Sequence, residues 1–307
     1  MDVQNHIDEA VRFEKAAALL GEDISAAASL LSDRQKREAR EIRLTGGRAF
    51  VELSCGCVEL PGIRSEPQRV LMRLCGYSPY SFRDVIAQGF IPLDGGHRAG
   101  LCGTAVIENG VVTGMRDVSG ICMRIAREHV GCASVLRSAV SGSRGLLIAG
   151  APCTGKTTLL RDIARALASG EWGRRRSVTI IDSRGEIAAS TGGIPQFDTG
   201  GAFVLDGYPK AEGMMQAIRC LAPEYVICDE AGMNEAEATA RCAGSGVVVI
   251  ASAHTGCADD LIVSPRLREL ISCGAFDTVA LLKSGETGRL ERVMSVSELI
   301  GGMSKCS

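Results

Sequence analysis

A chain of 307 residues with 46% hydrophobic and 23% charged residues can bury the cores of two domains, which excludes a disordered or low-complexity protein. A formal net charge of −2 and 4% aromatic residues supply neither the basic field nor the stacking platforms of a general nucleic-acid binder. Thirteen cysteines, an odd count with no C-x-x-C pair, and four scattered histidines point to reduced thiols rather than to a disulfide framework or a zinc site.

Met1 to His6 lacks the basic and apolar regions of a signal peptide, and no apolar run approaches the roughly 20 residues of a membrane span. The chain is expected in the cytoplasm, meeting a membrane only through a partner. Helical periodicity covers Asp8 to Leu20 and Ile24 to Arg40, with Asp23 as a cap for the second. Glu41 to Leu44 and Ala49 to Leu53 flank Thr45-Gly46-Gly47-Arg48 as a hairpin. Helices are expected at Glu66 to Cys75 and Ser81 to Gln88. Strands follow at Phe90 to Leu93, Ala99 to Cys102 and Thr104 to Glu108, the last turning through Asn109-Gly110 into Val111 to Met115. These elements form a smaller N-terminal α+β domain, 1–118.

From 119 to 307 the pattern alternates. A helix over Val130 to Ser141 leads to the strand Gly145 to Ala149, and a helix begins at Thr158. Strands then fall at Ser177 to Asp182, Tyr225 to Asp229, Val247 to Ser252 and Thr278 to Lys283. Helices lie between them at Ala211 to Leu221, Glu235 to Ala243, Asp259 to Ile262 and Pro265 to Ser272, and Gly192 to Gly207 is rich in loop residues. This is an α/β fold, a doubly wound, mainly parallel sheet with its ligand at the C-terminal strand ends.

The segment Gly150-Ala151-Pro152-Cys153-Thr154-Gly155-Lys156-Thr157 fits the phosphate-loop pattern G-x-x-x-x-G-K-[ST], between a strand and a helix as that loop requires. Backbone amides and the helix N-terminus, through Thr158, would cradle the phosphates of ATP. Lys156 would reach the β- and γ-phosphates, and the Thr157 hydroxyl would ligate Mg²⁺. Tyr225-Val226-Ile227-Cys228 ending in Asp229-Glu230 has the form of a Walker B element, giving Asp229 a metal role and Glu230 that of general base. Asp182, Arg184 and Glu186 follow another apolar strand. They read either as a second acidic group sharing Mg²⁺ or water activation, or as a capped turn with an internal Arg–Glu pair. His254, at the end of the next strand, is placed to sense the γ-phosphate. Arg124 and Arg127, ahead of the core, and Arg219 and Arg241, within it, are candidates for an arginine supplied to a neighbouring subunit.

Several stretches resemble the stage III sporulation protein AA family. They are Tyr208-Pro209-Lys210-Ala211-Glu212-Gly213-Met214-Met215, Gly95-Gly96-His97-Arg98-Ala99-Gly100-Leu101, Arg124-Ile125-Ala126-Arg127, and the phosphate loop running through Arg161-Asp162-Ile163-Ala164-Arg165. That family is similar to the hexameric secretion and pilus-retraction ATPases, so the resemblance implies a RecA-like core and a mother-cell motor of endospore-forming bacteria. It also implies a dock on a membrane channel facing the forespore. The superfamily's acidic, Walker B and histidine boxes fall on Asp182 with Glu186, Asp229 with Glu230, and His254. For the arginine supplied to a neighbouring subunit, the resemblance points to Arg124 and Arg127. The family usually has an acidic residue where Ser183 stands and a basic one at Met233. A nucleic-acid-dependent ATPase and a nucleotide-dependent scaffold with vestigial hydrolysis are the competing readings.

Overall fold

The computed structural model describes residues 8–257 and 260–301, so the expectations at Met1 to His6 and at Asp259 lie outside the described residues. The chain divides into two compact units between Arg127 and Glu128.

The N-terminal unit opens with helices α1 (Glu9–Leu20), α2 (Glu22–Ser29) and α3 (Asp33–Glu38). Asp8 caps α1 by accepting the Ala10 amide at 3.0 Å. One helix was expected over Ile24 to Arg40. It is instead broken, because Ser32 and Gln35 form a capping box that starts α3 anew, and strand β1 begins at Ala39. Strands β1 (Ala39–Thr45), β2 (Arg48–Leu53) and β3 (Gly56–Glu59) precede helices α4 (Pro67–Leu74) and α5 (Arg83–Ala87). Strands β4 (Phe90–Pro92), β5 (Arg98–Glu108) and β6 (Val111–Arg124) complete an antiparallel sheet in the order β3-β2-β1-β6-β5-β4. Asn109 and Gly110 both take positive φ, 52° and 79°, as a tight primed turn demands. The buried residues of the sheet, Ile42, Leu44, Val51, Ile121 and Met123, share one core with Phe13, Ala16, Ala17 and Leu20 of α1. Residue 118, the expected end of this domain, falls inside β6, which runs on to Arg124 because it pairs with β1 and β5 at once.

His97 is 2% exposed, and its Nδ1 accepts the Ala126 amide at 3.0 Å. Burial, reinforced by the Arg12 charge, holds its pKa down to about 4. The folded chain therefore keeps this imidazole neutral while the unfolded chain protonates near pH 6.5. Its contribution to stability is complete above pH 6.5 and is lost as the pH falls towards 4. Wild-type chain should lose about 2 kcal/mol more than His97→Asn between pH 7 and pH 5 in denaturant unfolding. Parallel losses in the two proteins would show that this histidine is not the group that titrates.

The second unit holds helix α6 (Arg137–Gly142), strand β7 (Gly145–Gly150), helix α7 (Lys156–Ser169) and strands β8 (Val178–Asp182) and β9 (Phe203–Asp206). It continues with α8 (Lys210–Leu221), β10 (Tyr225–Cys228), α9 (Ala236–Gly244), β11 (Val248–His254), α10 (Asp260–Val263) and α11 (Pro265–Ser272). Strands β12 (Thr278–Leu282) and β13 (Leu290–Ser295) and helix α12 (Val296–Gly301) close it. The helix expected over Val130 to Ser141 is a 3-10 turn, Cys132–Leu136, followed by the shorter α6. Strands β9 and β13 were not expected at all; both are edge strands with largely exposed side chains and so carry no apolar run.

The sheet runs β13-β12-β7-β11-β10-β8-β9, with every pair parallel except β12 with β13. Strand β7 is buried throughout, and its side chains alternate between two cores. Leu146 and Ile148 join Leu159, Leu160, Ile163 and Leu167 of α7, whereas Leu147 and Ala149 join the core beside Met214, Ala238 and Leu270. The parallel strands β7, β8, β10 and β11 thereby deliver Gly150, Asp182, Asp229 and His254 to the same edge of the sheet.

Candidate functional site

The phosphate-loop segment leaves β7 at Gly150 and enters α7 at Lys156. The loop is braced from both sides. Thr154 Oγ1 donates to the Ala151 carbonyl at 2.8 Å, and the Thr154 carbonyl accepts the Gly288 amide at 2.8 Å from the turn between β12 and β13. Gly155 makes that approach possible: its φ is +90°, and a Cβ there would stand 3.0 Å from the Gly288 nitrogen. Cys153 is exposed and takes a left-handed φ of 62°.

Lys156 is 4% exposed and folds back on its own loop. Its ammonium donates to the carbonyls of Gly150 at 2.9 Å and Ala151 at 2.8 Å, and lies 3.1 Å from His254 Nδ1. Burial lowers its pKa, against the opposing charges of Asp229 and Glu230. Since an ammonium can only donate, His254 Nδ1 is the acceptor. His254 Nε2 then carries the proton and donates to Glu230 Oε1 at 2.8 Å. Glu230 Oε2 receives Arg184 Nη1 in an ion pair. The four side chains form one row: Lys156, His254, Glu230, Arg184.

A second cluster lies beside it. Thr157 Oγ1 donates to Asp229 Oδ2, and Ser252 Oγ donates to Asp229 Oδ1. Ser252 Oγ in turn accepts the Glu230 amide at 2.9 Å, and Lys210 Nζ donates to the Glu230 carbonyl at 2.6 Å. Glu230 is held by these bonds at a left-handed φ of 49°. Burial raises the Glu230 carboxyl pKa, but the His254 hydrogen bond and the charges of Arg184 and Lys210 outweigh burial and hold it below the usual carboxylate range.

Asp182 does something else. It is 2% exposed, and its Oδ1 accepts the amides of Glu186 and Ile187 while its Oδ2 accepts those of Ala188 and Ala189. Four amides occupy both oxygens, so this carboxylate anchors the loop after β8 instead of facing the cluster at Thr157. Its expected metal role is not what this geometry offers. Asp182 and Glu186 both line a small cleft with Arg184, Lys210, Asp229 and Glu230. The turn reading of 182–186 gains its cap in Asp182, and Arg184 also reaches beyond the turn to Glu230. Arg161, on α7, ties the phosphate-loop helix to this loop by donating to the carbonyls of Glu186 and Ile187, both at 2.7 Å.

Arg124 and Arg127 stand in the N-terminal unit and not in the ATPase-like one, because β6 carries the chain that far. Arg124 is 73% exposed beside Glu41, whereas Arg127 is half-buried and donates to the Ala39 carbonyl. Sequence reading gave no role to Ser252, Lys210 or Arg161. The one local signal for Ser252 was its place two residues before His254, on the same face of β11. Lys210 is the first residue of α8.

A phosphate loop at the end of the central strand, with an Asp-Glu pair and a histidine at the ends of neighbouring strands, defines the class: a RecA-like P-loop fold, as found in secretion and pilus-retraction ATPases. Solved structures agree on the fold. The ATPase DotB of Yersinia pseudotuberculosis superposes with a TM-score of 0.59 at 14% identity, covering 92% of this chain and 84% of that one. The pilus retraction motor PilT, solved with ADP, gives 0.57 at 15% identity over 87% and 85%. The family described as sporulation stage III, protein AA, matches residues 54–297, and stage III sporulation protein AA of Bacillus subtilis (strain 168) is 38% identical over 269 residues, 85% of this chain and 88% of that protein. The chain belongs to the stage III sporulation protein AA family.

Proposed function

We propose that this protein is a Mg²⁺-dependent ATPase that works as a ring, most simply a hexamer. It would drive assembly of, or transport through, a channel between mother cell and forespore. It would act in the mother-cell cytoplasm, held at the forespore-facing membrane by channel proteins; among the described residues no helix is long and apolar enough to cross a membrane. The observation that carries the reading is the convergence of Lys156, Thr157, Asp229, Glu230 and His254 at one edge of the sheet.

ATP would lay its β- and γ-phosphates on the amides of residues 151–158. Lys156 would exchange its carbonyl partners for phosphate oxygens. Water, held by Glu230, would form a bond to the γ-phosphorus from the side opposite the β–γ bridging oxygen. As that bridging bond broke, its electron pair would leave with ADP and the water's proton would pass to the Glu230 carboxylate. The residues fit a metal of the magnesium kind. Thr157 Oγ1 and an Asp229 carboxylate oxygen stand side by side, and Mg²⁺ commonly binds through one or two protein oxygens, phosphates and water. Thr157 and Asp229, already in contact, would hold it, and it would supply neutralisation of the β- and γ-oxygens. Arg124, being exposed, is the better of the two arginines to complete a neighbour's site; Arg127 serves its own unit.

ATP turnover per protomer, measured across a wide protein concentration with Lys156→Ala as the blank, tests this directly. A rate rising steeply with concentration is expected, because the site would be completed between subunits. A rate indistinguishable from the blank at every concentration, with the channel partner added, would leave the scaffold reading instead.

A further inference from the structure

Arg184 has been given no part in the reaction above, yet it lies on the candidate base. Its guanidinium pairs with Glu230 Oε2, and the other carboxylate oxygen receives His254 Nε2, whose Nδ1 meets the phosphate-binding Lys156. Arginine and lysine are thus joined through one carboxylate and one imidazole. The Arg184 side chain is 62% exposed, so it can rotate without first leaving a buried site. Its loop is anchored: Asp182 accepts four amides of the same loop, and Ser183 Oγ donates to the Tyr208 carbonyl at 2.6 Å. An anchored loop thereby carries an exposed cation in the cleft that Glu186, Asp229 and Glu230 line.

We infer that Arg184 is an internal γ-phosphate-sensing arginine: it neutralises Glu230 in the nucleotide-free chain and transfers to the terminal phosphate when a triphosphate binds. This rests on the ATPase reading above. The physical reason is competition between two anions for one guanidinium. A diphosphate ends one phosphate short of the cleft and leaves Arg184 on Glu230. A triphosphate brings several negative oxygens there, and a planar guanidinium binds phosphate in two-point geometry. Transfer has two effects at once. It stabilises charge on the γ-phosphoryl group, and it releases the Glu230 carboxylate to hold water. Hydrolysis is thereby gated by the presence of the group to be hydrolysed, and the gate lies within one chain, separate from any arginine lent by a neighbour.

The test uses full-length protein and fluorescently labelled ATPγS and ADP, each titrated to equilibrium in Mg²⁺. Wild type should prefer the triphosphate, and Arg184→Ala should weaken ATPγS about tenfold while changing ADP less than twofold. Arg184→Lys should restore part of the preference, because charge survives and the two-point geometry does not. Glu230→Gln should tighten ATPγS several-fold by releasing Arg184, and in the Arg184→Ala background that gain should vanish. A general lowering of negative charge at the site would instead give the same gain in both backgrounds, and that result would overturn the inference. So would binding of both nucleotides with an unchanged ratio in Arg184→Ala, which would leave the ATPase reading intact. Wild-type chain that bound neither nucleotide would overturn both.

Discussion

Glu230→Gln should lower ATP turnover by about 10²–10⁴-fold, the usual worth of a positioned general base, while the protein still binds ATP. The substitution keeps the shape of the side chain and its bond from His254 but removes the proton acceptor. Its folding should change little, since the strained backbone at 230 is held by Ser252 and Lys210 through main-chain atoms that glutamine retains. Lys156→Ala should differ in kind, losing the nucleotide as well as the rate. The contrast separates a motor from a scaffold: a scaffold would still support sporulation with Glu230→Gln, whereas a motor would be trapped with ATP bound. Turnover within threefold of wild type would show that the water's proton goes elsewhere.

Asp182→Ala should cost about 2–4 kcal/mol in stability, because removing one buried carboxylate strands several amide donors together. Amide exchange at residues 186–189 should accelerate, and turnover should collapse with the placement of Arg184 and Glu186. A metal ligand would behave differently. If the variant kept wild-type stability and merely needed more Mg²⁺, the carboxylate would be a ligand after all and the anchoring role would be wrong.

The parts of the site legible in the sequence are those written in short contiguous segments. A strand, a glycine loop and a helix announce the phosphate site between residues 145 and 168, and an apolar strand running into Asp229-Glu230 announces the second element. What escaped was tertiary. No spacing rule says that Asp182 will spend its charge on backbone amides while Asp229, at the end of a similar strand, receives side-chain hydroxyls. Nor does one say that Arg184 will pair with Glu230, 46 residues further on. The fold was legible in its core strands, buried on both faces, and obscure at its edges. β9 and β13 each pair on one side only, so their residues need not be apolar. The break between α2 and α3 shows the opposite failure, in which helix-favouring composition hid a local polar cap at Ser32.

Cys153 and Glu230 share the left-handed backbone described above, and a residue with a Cβ holds that conformation at a cost of about 1–2 kcal/mol. Glycine would hold it more easily at both positions. Selection for thermal resistance alone would therefore press on the edge of the nucleotide site before most of the core, reaching glycine at 153 without loss of a charged group. At 230 the same pressure runs into the carboxylate that the proposed hydrolysis needs, so a hardier chain there would be an idle one.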